Sequence, residues 1–134
     1  CGYYPTDVLD QACRGLDALI FDIKCLDSAR HKKATGVGSE LILKNIGHVF
    51  EHFPELPVLI RTPVIPGFND TEEDILGIRE MIPRKANIRY EALTYHRMGQ
   101  PKYGYLGRRY ELEGVKADEA FMKRLNIMLK SYEK

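Results

Sequence analysis

The chain has 134 residues, of which 44% are hydrophobic and 29% charged, and its formal net charge is +1. That size fits one domain or a piece of one, and the balanced charge gives no electrostatic case for binding nucleic acid or an anionic membrane. No apolar run approaches the ~20 residues of a membrane span and no signal peptide opens the chain, so we expect a cytoplasmic protein.

Periodicity and capping residues predict an alternation of helices and strands. The expected elements are a helix over 6–14, a strand over 17–23, a helical turn from 27 or 28 to 33, a helix over 40–53, a strand over 57–64, a helix that begins at 70 or 71 and that Pro83 ends, a strand over 87–93, a Gly- and Tyr-rich loop over 97–114 and a helix over 117–132. This order predicts an α/β fold with three parallel strands and flanking helices. Three strands do not close a barrel, but they could be half of one.

Cysteine and histidine residues predict no metal or redox centre. The cysteines are spaced twelve apart, which matches no Cys-x-x-Cys pattern, and we expect reduced thiols: Cys1, Cys13 and Cys25. The histidines on predicted helices are expected on exposed helix surface, because a zinc site would need more ligands nearby: His31, His48 and His52.

The first strand ends in an acid and a base two residues apart. Its apolar run, Ala18 to Phe21, predicts a strand buried on both faces, and residues two apart on a strand project to the same side. Asp22 and Lys24 therefore project together at the carboxyl end of a strand, where α/β folds bind their ligands. The alternative is a plain ion pair at a strand end.

Each of the three strands delivers polar groups to the same edge. Arg61 lies near the end of the second strand and His96 follows the third, so both are expected beside Asp22 and Lys24. A carboxylate, an ammonium, a guanidinium and an imidazole suit a small zwitterionic or anionic ligand. No nucleophile is paired with a base. Arg61 could instead pair with Asp22 across adjacent strands, which would be compatible with ligand binding, and His96 could be hydrogen-bonded within its loop.

Four stretches, in order, carry a family resemblance. They are Phe21-Asp22-Ile23-Lys24, the HxxxTG-like stretch His31 to Gly36, Ile60-Arg61 with Pro63 to Asp70 (IR…VIPGxND), and Tyr95 to Gly107 (YHxxGxxKYxxLG). From Cys1 to about Lys130 the chain resembles the C-terminal half of the glycyl-radical enzyme activating enzymes, the radical S-adenosylmethionine (SAM) group typified by pyruvate formate-lyase activating enzyme.

The resemblance implies a partial (β/α)6 barrel, of which residues 1–134 supply strands four to six. The SAM contacts it implies are Asp22, Ile23, Lys24 and His96, with Arg61 and the backbone near Pro63 along the nucleoside. In some members the aspartate matching Asp22 also helps to hold a monovalent cation. In the family, a reduced four-iron (4Fe–4S) cluster, fed by an electron donor, cleaves SAM to a 5′-deoxyadenosyl radical. That radical takes a hydrogen from a glycine of the partner, a glycyl-radical enzyme such as pyruvate formate-lyase.

The chain departs from the family in two respects. No Cys-x-x-x-Cys-x-x-Cys motif occurs, and its three dispersed cysteines cannot replace that motif, because three thiolates must converge on one cluster. The Gly-rich SAM-amine motif is also missing. We expect the cluster ligands to lie upstream of Cys1, in a longer protein from which this chain is cut. The chain should then hold half of a SAM site and no catalytic residue, and it should be inactive alone.

Two alternatives stay open. Lys24 could be the Schiff-base amine of a barrel lyase or aldolase, although the nearby Asp22 favours a charged ammonium. The chain could also be a non-catalytic binding domain that kept the half-barrel. A half barrel exposes strand edges that the whole barrel would pair, and we expect the strand around Leu19 to Phe21 to be one of them. This predicts edge-to-edge association, cover by a helix, or poor solubility.

Overall fold

The computed structural model describes residues 2–132. In chain order its elements are α1 (Thr6–Cys13), β1 (Leu19–Asp22), α2 (Ser28–Thr35), α3 (Glu40–His52), β2 (Val58–Val64), α4 (Glu72–Met81), β3 (Ile88–Thr94), α5 (Gln100–Tyr105) and α6 (Glu119–Ser131).

The three strands form one sheet in the order β1-β2-β3, and both pairings are parallel. Asp22 lies opposite Arg61, and Arg61 lies opposite Glu91. Paired residues share a face of the sheet, and because all three strands run in one direction their carboxyl ends lie at the same edge, where β2 and β3 extend beyond β1. We call it the carboxyl edge. The predicted parallel α/β architecture is confirmed.

Helices cover one face of this sheet. Side chains of α1, α3 and α4 pack on β1 and β2 in a core of Leu9, Cys13, Leu19, Phe21, Ile23, Ile42, Ile46, Val49, Leu56, Val58, Ile60, Ile78 and Ile82. A smaller cluster joins α4 and α6 to the end of β2: Val64, Ile75, Met122, Leu125 and Leu129. The alternating burial of β2 shows the same one-sided cover, since Val58, Ile60, Thr62 and Val64 are buried while the residues between them are not.

The opposite face of the sheet is open. Ile20, between buried Leu19 and Phe21, is 56% exposed. The prediction that the first strand is buried on both faces is therefore wrong within the described residues. An unbroken apolar run indicates that both faces of a strand can be buried, but it does not show whether residues 2–132 contain the segments that bury them.

Both outer strands have a free edge within residues 2–132. β1 pairs only with β2, and so does β3. The expectation that the Leu19 to Phe21 strand lies at an edge is confirmed. β3 has no fully buried residue, as its alternating sequence indicates.

The segment predicted as the 97–114 loop contains the short helix α5. Pro101 lies in its first turn, a favoured place because proline lacks the N–H that this turn leaves unbonded. No residue of α5 is buried, and its sequence has no apolar stripe. Hydrophobic periodicity therefore does not predict this helix.

Candidate functional site

An ionic cluster lies on the open face at the carboxyl edge. Arg61 donates to Asp22 Oδ1 from Nε at 3.1 Å and from Nη2 at 3.0 Å, and Lys24 Nζ lies 3.7 Å from Asp22 Oδ2. The side chains are 26–35% exposed. The cross-strand pairing of Arg61 with Asp22 is thus present. One carboxylate pairs with two cations, so these three side chains carry a net positive charge that suits an anionic group.

Two buried side chains fix the backbone beneath this cluster. Thr62 Oγ1 donates to the Ile23 carbonyl at 2.7 Å. Asn69, which has no exposed surface, donates from Nδ2 to the carbonyls of Lys24 (2.7 Å) and Pro63 (2.9 Å), and its Oδ1 accepts from the Ile65 N–H at 2.6 Å. One amide therefore ties the turn after β2 to the end of β1.

Sequence reasoning counted Asn69 as part of a motif and did not assign it this role. The available signal was an amide residue in the short loop between a strand and a helix, a place where backbone groups need side-chain partners.

The histidine predictions are partly wrong. His31 is 3% exposed, and its Nδ1 donates to the Val37 carbonyl at 2.7 Å, which closes the turn after α2. His48 is half-buried and bonds Asp10 at 2.7 Å, which links α3 to α1. Only His52 lies on exposed surface as expected, stacked on the His48 ring at 3.9 Å. A helical pattern showed which face each histidine shares but not the tertiary partner that covers it.

Two cavities meet at Lys24. One of about 230 Å³ lies between the ionic cluster and the end of α2, lined by Tyr3, Asp22, Lys24, His31, Thr35, Val37 and Ile42. The other, of about 490 Å³, is lined by Lys24, Lys33, Ala34, Thr35, Ile65, Phe68, Tyr103, Tyr110, Glu111 and Leu112. Lys24 and Thr35 line both cavities, which we together call the recess, so a cation lies beside each of them.

The remaining predicted site residues lie in different surroundings. Ile23 is 1% exposed in the core, its N–H donates to the Arg61 carbonyl, and its carbonyl accepts from Thr62. Pro63 is half-buried beyond Arg61 on β2. His96 is exposed past the end of β3, where its Nδ1 accepts from the Met98 N–H at 3.4 Å. Within residues 2–132 the structure joins Asp22, Lys24 and Arg61 directly, and it places His96 at the same edge without a hydrogen bond or ion pair to them.

A second ion pair joins α2 to α4. Arg30 makes a two-pronged contact with Asp74 of α4, with Nη1 donating to Oδ2 at 3.0 Å and Nη2 donating to Oδ1. Burial raises the pKa of Asp74, but hydrogen bonds from Arg30 and Thr71 outweigh it, so the pKa lies below its ordinary value. The Asp74 hydrogen bond in turn raises the pKa of Arg30. The pair holds the start of α2 against the start of α4.

Known proteins share this sequence and fold. A (2S)-3-sulfopropanediol sulfolyase activating enzyme of Bilophila wadsworthia is 97% identical over all 134 residues, which are 44% of its length. An isethionate sulfite-lyase activating enzyme of Nitratidesulfovibrio vulgaris is 43% identical over 129 residues, 96% of this chain and 42% of that protein. A crystal structure of a domain of pyruvate-formate lyase-activating enzyme from Bacteroides vulgatus aligns with a TM-score of 0.70 and 26% identity, over 96% of this chain and 70% of the other. No protein-family model matches the chain.

The resemblance to the glycyl-radical enzyme activating enzymes is confirmed. The chain spans less than half the length of the curated relatives it matches.

The cysteines that the structure describes do not fit the family's iron–sulfur cluster. Cys13 is a free thiol in the core at the end of α1, and burial raises its pKa. Cys25 is also free and buried, and it accepts a hydrogen bond from Arg30 Nε at 3.2 Å. Among residues 2–132 no three His, Cys, Asp or Glu side chains are grouped to hold a metal ion, so the monovalent cation at Asp22 stays a prediction. No helix in that range has the length and apolar character to cross a membrane.

Proposed function

We propose that this chain is the C-terminal half of a radical SAM activating enzyme and that its carboxyl edge supplies half of the SAM site. The observation that carries the proposal is the ionic cluster of Asp22, Lys24 and Arg61, which lies on the uncovered face of a parallel sheet at the strand ends.

The one-sided cover supports the half-barrel. Strands that follow one another in sheet order, with helices on one face and free edges on both sides, are what a segment of a (β/α) barrel presents. The open face, with Ile20 exposed, would then be the barrel interior, and preceding strands would pair with the free edge of β1.

The cluster also suits the chemistry of SAM. The ligand's amino-acid part carries a carboxylate that Lys24 would attract, and Asp22 can accept from an ammonium or hydroxyl group. Arg61 and the backbone near Pro63 would lie along the nucleoside, with His96 beside it. The backbone of Ile23 would keep Asp22 and Lys24 in place, since both of its polar groups are bonded to β2.

The rest of the parent protein would hold the four-iron cluster, which supplies the electron that cleaves SAM. We propose that the parent activates a (2S)-3-sulfopropanediol sulfolyase, because the relative that is 97% identical is named as the activating enzyme of that sulfolyase. Pyruvate formate-lyase entered only as the partner of the family's best-known member. That relative's name also favours an enzyme over a non-catalytic domain. The Schiff-base alternative has less support, because Asp22 Oδ2 lies 3.7 Å from the Lys24 amine.

Titration of SAM into the parent protein tests the site. We expect Lys24→Ala to weaken SAM binding by about 1–3 kcal/mol, roughly 5- to 150-fold, the usual cost of losing a charged hydrogen bond. Lys85→Ala is the matched control, because Lys85 lines a separate 480 Å³ groove beside Ile88, the first residue of β3. Equal SAM affinity in the wild type and the Lys24 variant would remove Lys24 from the site.

A further inference from the structure

The segment from Tyr95 to Leu112, which contains α5, has two different sides. On its inner side, Tyr103 and Tyr110 line the 490 Å³ cavity together with Lys24. Their rings meet edge to face at 5.0 Å, and the Tyr110 and Tyr95 hydroxyls are hydrogen-bonded at 2.5 Å. The tyrosines therefore hold the segment in a defined shape at the entrance to the recess.

The outer side displays large apolar side chains. Met98 is 78% exposed, Tyr105 87% and Leu106 67%. Single exposed apolar residues are ordinary on a protein surface, but three within nine positions of one segment are a local concentration, which we call the apolar patch. Tyrosine and methionine are among the residues enriched in protein interfaces.

The same segment is strongly basic. Residues 95–112 contain one acidic residue, Glu111, and four basic ones: Arg97, Lys102, Arg108 and Arg109. All four are exposed, and none forms an ion pair with a carboxylate within residues 2–132. Since the whole chain carries only +1, this positive charge is a local concentration. Its complement is a surface rich in Asp and Glu.

We propose that the outer side of residues 95–112 is the docking surface for the enzyme that the parent protein activates. The occupant would present an acidic surface with apolar side chains to Met98, Tyr105 and Leu106. The inference rests on the proposed function. Charge favours the target enzyme over a second copy of this chain, because a second copy would bring the same basic side chains to the contact.

Binding measurements between the parent protein and (2S)-3-sulfopropanediol sulfolyase test the proposal. The apolar variant is Tyr105→Ser with Leu106→Ser, and the charge variant is Arg108→Glu with Arg109→Glu. The control is Ile127→Ser on α6, which replaces a side chain of similar exposure, 64%, that does not line the cavity at Lys24. We expect both double variants to weaken sulfolyase binding at least tenfold and the control to change it less than twofold. The charge variant should also reduce the salt dependence of binding.

SAM affinity, measured on the same samples, separates this proposal from the proposed function. Unchanged SAM affinity with weakened sulfolyase binding supports the docking surface. Unchanged sulfolyase binding overturns it, as does a parallel loss of SAM affinity, which would mean that the segment only shapes the SAM site. A wild-type dimer in sedimentation that the apolar variant dissociates would assign the patch to a second copy and also overturn it. If the wild-type parent does not bind SAM, it is the proposed function that fails.

Discussion

Asn69 offers the sharpest mutational test of how the carboxyl edge is built. Its buried amide makes three hydrogen bonds that join the Ile65 turn to the ends of β1 and β2. Each such bond contributes about 1 kcal/mol net, and an orphaned buried N–H at Ile65 costs about 1 kcal/mol or more in addition. We therefore expect Asn69→Ala to lower the free energy of unfolding of the parent protein by about 3–4 kcal/mol. Because the Lys24 carbonyl loses its donor, SAM affinity should fall as well.

The assay is urea unfolding of the parent followed by circular dichroism, with SAM titration at low urea. Asn87→Ala is the matched control, because Asn87 also donates to two carbonyls, those of Pro54 and Leu56, but immediately before β3. It should cost about 2 kcal/mol and leave SAM affinity unchanged. A loss below 1 kcal/mol for Asn69→Ala would refute the energetic reasoning. A large loss of stability with normal SAM affinity would refute the link between Asn69 and the site.

Three further predictions concern other parts of the chain. Asp74→Asn should destabilise the parent by about 1–3 kcal/mol at neutral pH. Because the pKa of Asp74 in the native state is lowered from 3.8, the stabilisation by its carboxylate is complete above pH 3.8 and is lost as the pH falls through the native pKa. The acid unfolding curves of the variant and the wild type should therefore converge rather than stay parallel. Burial raises the pKa of Tyr90 to about 12 against a smaller lowering effect of Thr62, whose own hydroxyl donates to the Ile23 carbonyl, and the Tyr90 hydroxyl has no hydrogen-bond partner in the described chain. Tyr90→Phe should therefore keep or raise stability by up to about 1 kcal/mol and reduce the loss of stability that wild type shows as the pH rises from 10 towards 12, and a clear destabilisation would show that the hydroxyl is bonded. The isolated chain should self-associate through its free strand edges in sedimentation experiments, and Ile20→Lys should reduce this, whereas a wild-type chain that stays monomeric at all concentrations would count against the half-barrel.

The strands and their direction were predictable because local signals agreed with the global fold. The apolar runs end in Asp22 and Arg61, and the intervening helices require parallel pairing, so the sequence alone predicts that these two residues lie together, as they do. Motif order then identified the family. Those signals are written in short, contiguous stretches of sequence.

What escaped prediction depends on contacts between distant stretches. Three such features are the one-sided cover of β1, the burial of His31 and the hydrogen bonds of Asn69. Each is determined by which segments pack together, and no residue type by itself indicates it. The short helix α5 lacked an apolar stripe because it buries nothing within the described chain. Its exposure is also what makes it a candidate for docking.

Hydrogen exchange of the parent protein with and without SAM tests the central claim most directly, because it reports which end of the sheet the ligand protects. The account predicts slower exchange on SAM addition in residues 22–25, 61–69 and 94–98, with no change in residues 84–90 before and at the start of β3. Protection confined to residues 84–90, with the carboxyl edge unaffected, would contradict it.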